Sequence, residues 1–117
     1  MEISPTRKTL VYGTEFWAFY NSCSRKVQAK IDWVIGLVRT MKVMPEKFFK
    51  HIEGADGLFE IRVKSGSNIF RIFCFFDQGN LVILLNGFQK KTNKTPGNEI
   101  TRAMRLKQRY YDERKGK

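Results

Sequence analysis

Apolar and polar positions alternate most regularly between Gly57 and Lys91. There Phe59, Ile61 and Val63 interleave with Glu60, Arg62 and Lys64, the period-two pattern of a half-buried strand. Lys64-Ser65-Gly66-Ser67-Asn68 is rich in turn formers, and Gly66 is suited to a positive φ. Ile69 to Phe76 is then apolar on both faces except at Arg71. Asp77-Gln78-Gly79-Asn80 signals a second turn, and Leu81 to Leu85 is another doubly apolar run. Two successive hairpins predict an antiparallel meander with its most apolar strands at the centre.

Upstream the period lengthens. Lys8 to Tyr12 reads as a short strand, followed by a turn at Gly13-Thr14. Thr14 is a candidate N-cap, Glu15 suits the positive end of a helix dipole, and Phe16, Phe19 and Tyr20 follow at helical spacing. Ser24 is a second candidate N-cap. Beyond it Val27, Ile31, Val34, Ile35, Val38 and Met41 mark one face of a long helix. The two helices predict a helical hairpin covering one side of the sheet. Glu46 to His51 reads as a single helical turn, and Glu53 to Gly57 as a loop. After the meander, Lys90 to Lys94 forms a cationic connection, and Thr95-Pro96 opens a last helix. Ile100, Ala103, Met104 and Tyr110 or Tyr111 give that helix one apolar side, and the rest is basic. Met1 to Arg7 is expected to be a flexible tail on a single domain spanning residues 1–117.

Charge changes the picture more than size does. Lys and Arg number 22 against 11 Asp and Glu, a net charge of +11 in 117 residues. Such a field favours an anionic partner: nucleic acid, an acidic membrane or an acidic protein. Ten Phe, two Trp and four Tyr supply enough core to fold without a metal or disulfide. Cys74 lies inside an apolar strand and reads as a small buried hydrophobe, while a single histidine and no CxxC or HExxH spacing argue against zinc. No cofactor is expected. The first ten residues lack an apolar signal region, and no apolar run reaches the length of a membrane span, so a cytoplasmic, membrane-free protein is expected.

Arg71 is the informative oddity. A guanidinium stays charged in a protein and is expensive to bury unpaired, so it either meets a carboxylate, with Glu60 the nearest choice, or opens into a polar cleft. Arg62 on the preceding strand and Lys90 and Lys91 ending the following one converge with it if the meander pairs simply. Converging cations suit a polyanion.

GLFEIRVKSGSNIFRIFCFF, then GNLVILLNGFQKKTNKTP and a basic helix, resemble the phage-derived branch of the RelE/HigB toxins of bacterial type II toxin–antitoxin pairs. The resemblance runs from Leu10 onward and includes the two-helix part and KHIEG. It implies an α+β, β-α-α-β-β-β-α fold of the microbial-RNase type. It also implies ribosome-dependent cleavage of mRNA, held in check by an antitoxin that often carries a helix-turn-helix. On this likeness Arg71 matches the arginine at the scissile phosphate, and Lys90 and Lys91 the cationic pair at the end of the next strand. Arg62 and Lys64 add basic side chains to the same cleft. Relatives often carry a His or Tyr near the end of the chain for proton transfer or stacking; here Tyr110 and Tyr111 stand there without a histidine.

Cleavage of this kind uses the 2′-hydroxyl of the RNA as nucleophile, and preorganised cations stabilise the charge that develops on the phosphate. Lys90 and Lys91 are candidates for clamping flanking phosphates or protonating the leaving oxygen, and Lys94 extends the RNA-binding set. Phe88 is a candidate base-stacking platform or a core residue. Histidine is the side chain that ordinarily titrates near neutrality, which makes His51 a candidate acid or base despite its position before the sheet. A two-histidine ribonuclease mechanism is excluded by the single histidine. The alternative is a non-catalytic RNA- or antitoxin-binding module on the same fold.

Overall fold

A strand buried on both faces needs cover on both faces, and the chain supplies it from its two ends. The structure, a computed structural model, describes residues 6–115. Its elements are β1 (Lys8–Val11), α1 (Glu15–Ser22), α2 (Arg25–Thr40), β2 (Phe49–His51), β3 (Phe59–Ser65), β4 (Asn68–Asp77), β5 (Leu81–Lys90) and α3 (Gly97–Lys115). The five strands form one sheet in the order β1-β5-β4-β3-β2. β3, β4 and β5 are the predicted antiparallel meander, with the apolar β4 and β5 inside. β1 lies parallel to β5, a pairing that requires the two-helix crossover between them. The class is therefore α+β, as expected, and compatible with the RelE-like fold.

Each face has its own core. Phe16, Val27, Ile31, Val34 and Val38 from the helical hairpin pack on Ile61, Val63, Phe70, Ile72, Cys74, Val82 and Leu84. On the other face Ala103, Leu106 and Tyr110 of α3 pack on Phe73, Phe75, Ile83, Leu85 and Phe88. Cys74 is a free thiol at the centre of the first core, as its apolar neighbours predict.

Two local expectations are corrected. The turn expected over Glu46 to His51 covers only its first half: Phe48 and Phe49 donate to Pro45 O, and Phe49–His51 then pairs antiparallel with Phe59–Ile61. Stacking of Phe49 on Phe59, with ring centroids 5.1 Å apart, supports the extended form that local propensity did not reveal. The capping roles also differ between the two helices. Ser24 Oγ accepts from Val27 N at 3.3 Å, whereas Thr14 makes no side-chain cap and its own N–H donates to Glu15 Oε1 at 3.0 Å.

Of the expected tail, residues 1–5 lie outside the described residues. Arg7 is tied to the end of α2, its guanidinium donating to Val38 O, Met41 O and Lys42 O at 2.9, 2.6 and 3.0 Å. Those carbonyls have no intrahelical partners, so a cation there satisfies them and complements the helix dipole.

β5 is pressed against α1 where a side chain is missing. A Cβ built on Gly87 would overlap the ring of Phe19. Gly87→Ala is expected to lower stability by about 1–3 kcal/mol through this overpacking, read as a lower denaturant midpoint at unchanged slope.

Candidate functional site

Residues opposite one another across an antiparallel ladder point to the same face. Arg62 stands opposite Arg71, and Arg71 opposite Phe88. Lys64 stands opposite Ile69, and Ile69 opposite Lys90. Two rows therefore carry Arg62, Arg71, Lys64 and Lys90 on the α3 face of the sheet. One row further along, Lys50 of β2 stands opposite Glu60, and Glu60 opposite Phe73. α3 begins beside Asn86, whose amide donates to Glu99 O and Oε1 at 3.1 Å, and ends beside Asp77. The cationic rows lie beyond the first turn of that helix.

Placing Arg62 directly opposite Arg71 would be unfavourable without an acid between them. Glu60 supplies it. Its Oε2 lies 3.0 Å from Arg71 Nε and 3.1 Å from Arg62 Nε. Glu60 and Arg71 are each 5% exposed, while the Arg62 side chain keeps 30% of its surface. Neither Nε–H points along the line to the oxygen, so both contacts are ion pairs rather than aligned hydrogen bonds. Arg71 Nη1 donates to Phe70 O at 3.2 Å, and Arg62 Nη1 to Glu46 O at 3.3 Å. Burial pulls the Arg71 guanidinium below its ordinary range, Glu60 opposes that pull, and Arg62 adds to it. It remains a cation at any physiological pH. Both sequence readings of Arg71 are thus realised together, since it pairs with a buried carboxylate and also borders an open groove.

Lys90 feels the same charges. Burial lowers its ammonium below the usual lysine range, Arg71, Arg62 and Lys50 lower it further, and Glu60 resists. Lys50, which the sequence reading passed over, therefore belongs to the cluster. Alternation in Phe49-Lys50-His51 was the available signal, obscured by the helical reading of that stretch.

The other expected residues are placed differently. Lys91 lies one residue beyond β5 and is exposed, and Lys94 is exposed in the loop that follows. Phe88 is buried with Phe73, their centroids 5.3 Å apart, so its ring is packed in the α3 core. His51 stands opposite Phe59 with its ring edge-on at 5.1 Å, on the face opposite Lys50 and Arg71. Tyr110 is buried under α3 and donates to Asp77 Oδ2 at 2.6 Å, while Arg114 Nη1 donates to the Tyr110 hydroxyl at 3.1 Å. Burial and then Asp77 raise the Tyr110 phenol above its ordinary range. Asp77 and Arg71 are six residues apart on one strand, about 20 Å at the usual rise. Tyr110 is thus not brought to the cation cluster. Among the described residues no three His, Cys, Asp or Glu side chains gather as metal ligands, and no helix is long and apolar enough to cross a membrane.

What the arrangement supplies is two arginines held against one buried carboxylate, with Lys50, Lys64 and Lys90 on the adjoining rows of the same face. Its chemistry is recognition of anionic oxygen and stabilisation of added negative charge. Glu60→Gln is expected to cost about 3 kcal/mol or more of stability because it leaves two facing guanidiniums without a counter-charge. Arg62→Ala, at the exposed arm of the triad, is expected to cost about 1 kcal/mol or less. Urea unfolding of both variants checks the order.

A comparison with protein-family models matches residues 18–108 to the family described as "Phage derived protein Gp49-like (DUF891)". None of the curated proteins compared matches the sequence.

Proposed function

The chain belongs to the phage-derived Gp49-like family, and on that premise we propose that it is the toxin of a type II toxin–antitoxin pair, acting as an mRNA endonuclease on the ribosome. The family is associated with the toxins of toxin–antitoxin systems. The observation that carries the reading is the convergence of Arg62, Arg71, Lys64 and Lys90 on one end of one sheet face, with Lys50 beside them. In this proposal the scissile phosphate sits against Arg71 where it lines the groove, its Nε facing Glu60 and its Nη1 donating to Phe70 O. Lys90 lies one ladder row away, its lowered proton affinity suited to donating to the leaving 5′-oxygen. Arg62 and Lys64 hold the neighbouring phosphates, and Lys91 and Lys94 extend the basic track past the end of β5.

The substrate's 2′-hydroxyl gives its proton to water and attacks the adjacent phosphorus to form a 2′,3′-cyclic phosphate, and the P–O5′ bond breaks as that oxygen takes a proton from Lys90. Neither His51 nor Tyr110 faces the cluster, so this reading assigns proton transfer to neither of them. A site with strong cations and a sparse acid–base set depends on its substrate arriving in line, which is the service a ribosome-held message would provide. The partner in the cell would be an antitoxin with a helix-turn-helix that masks the basic face, and electrostatics would make their association fast and salt-sensitive.

A second reading, a non-catalytic RNA- or antitoxin-binding module, is favoured by the near-complete burial of Arg71. Mapping RNA ends in a translating extract separates the two. New cuts within codons are expected, and protection without new ends would establish the binding module. Arg71→Ala is expected to reduce cutting by about a hundredfold or more while circular dichroism shows a folded protein. Full cutting by folded Arg71→Ala protein would remove Arg71 from the site.

The lysine gives a pH test. A lowered Lys90 loses its charge at a lower pH than an ordinary lysine, so RNA binding is expected to weaken as pH rises into the alkaline range. Lys90→Arg should retain binding across that range, measured by titrating a short RNA at each pH.

A further inference from the structure

Beside the cation cluster, where β2 has ended and the edge of β3 is free, a groove of about 640 Å³ runs between that edge and α2. Trp33, on the solvent side of α2, stands in its wall and is 51% exposed, unusual for the largest apolar side chain. Its ring meets Phe48 edge-to-face at 5.7 Å, which fixes one side of the indole. Lys30 Nζ lies 4.6 Å from the centroid over the Trp33 ring, and Lys47 Nζ 5.0 Å from that of Phe48. A second cleft lined by Trp33 adds Lys26 and shares Lys30 and Lys64. Among the described residues lining the two clefts there are cations and aromatic rings but no carboxylate. Arg62 and Arg71 line the first cleft as well, so groove and cluster are continuous.

We propose that Trp33 is a stacking platform for an unpaired base of the RNA strand whose phosphates cross the Arg62–Arg71 cluster, with Lys30 and Lys47 holding the phosphates on either side of that base. The inference rests on the proposed RNA-cleaving function and assigns its substrate a second point of attachment. The combination favours single-stranded RNA over the other polyanions. Cations alone would fit any phosphate, but an exposed indole flanked by them matches a strand with accessible base faces. In the free protein the Lys30 ammonium covers the indole face. A base stacking there displaces the ammonium towards the phosphate of the same nucleotide, replacing one cation–π contact with a stack and an ion pair. Trp33 is thus a binding residue, outside the chemistry at Arg71.

The chain has two tryptophans, so Trp17→Phe leaves Trp33 as its one indole. In that variant a short single-stranded oligoribonucleotide is expected to quench the fluorescence, and a duplex of the same sequence to leave it largely unchanged. Trp33→Ala is expected to weaken binding of the single strand about tenfold, with Trp33→Phe retaining most of it. Unaltered affinity in Trp33→Ala, or equal quenching by duplex, overturns the proposal. So does a Trp33→Ala protein that binds RNA normally but has lost its antitoxin, which would give the groove to a protein partner. The two readings fail separately: quenching at Trp33 without RNA cuts refutes the nuclease and keeps the platform, whereas undiminished RNA binding and cutting by Trp33→Ala does the reverse.

Discussion

A single carboxylate oxygen, Glu60 Oε2, stands between the guanidiniums of Arg62 and Arg71. The ladder register puts those arginines directly opposite one another, where like charges repel. Taking Arg71 to near-complete burial adds a desolvation cost of several kcal/mol. The shared carboxylate offsets both without cancelling the charge. Three ionic groups with one excess positive charge are locked on a rigid sheet, and Lys50, Lys64 and Lys90 add to it from adjoining positions. A cation held this way needs little reorganisation when an anion arrives, and that is what separates a site from a merely basic surface.

The rest of the fold determines where this charge is left accessible. The helical hairpin covers one face of the sheet completely enough to bury Ile31, Val34, Val38, Ile61 and Ile72. α3 covers the other face from Asn86 to Asp77, fastened at its far end by Tyr110 and Arg114. What remains beyond its first turn is the end where β4 enters and β5 leaves. The shortness of β2 matters as much: its ladder ends at Ile61 and Phe48 O takes the Arg62 N–H, so the edge of β3 from Val63 onward is left to border a groove. The logic is geometric: uncovered sheet, free edge and cations coincide.

Hydrophobic periodicity in the sequence determined most of the architecture. Alternation at Phe59 to Lys64, the two turn signals and the doubly apolar Ile69 to Phe76 fixed the meander, because the side-chain period of a strand is visible in one dimension. The i, i+4, i+7 spacing from Val27 to Val38 fixed α2 for the same reason. Charge composition pointed to an anionic partner, and simple hairpin pairing already brought Arg62, Arg71 and Lys90 to one face. Phe49–His51 escaped because a three-residue strand takes its stability from its neighbour, Phe59, and leaves no period of its own.

Tertiary structure alone decided what those residues face. Whether Arg71 met Glu60 or solvent depended on a diagonal contact between strands, and the structure gives it both a carboxylate and a groove. Phe88, His51 and Tyr110 were credible partners by residue type, yet face parity and about 20 Å of strand keep the latter two from the cluster. Trp33 is on α2 and Phe48 in the turn before β2, and only the packing of α2 beside the β3 edge brings them together. Sequence sets which side chains alternate; the register and the covering helices set which of them meet, because those are distances between parts of the chain that no local pattern encodes.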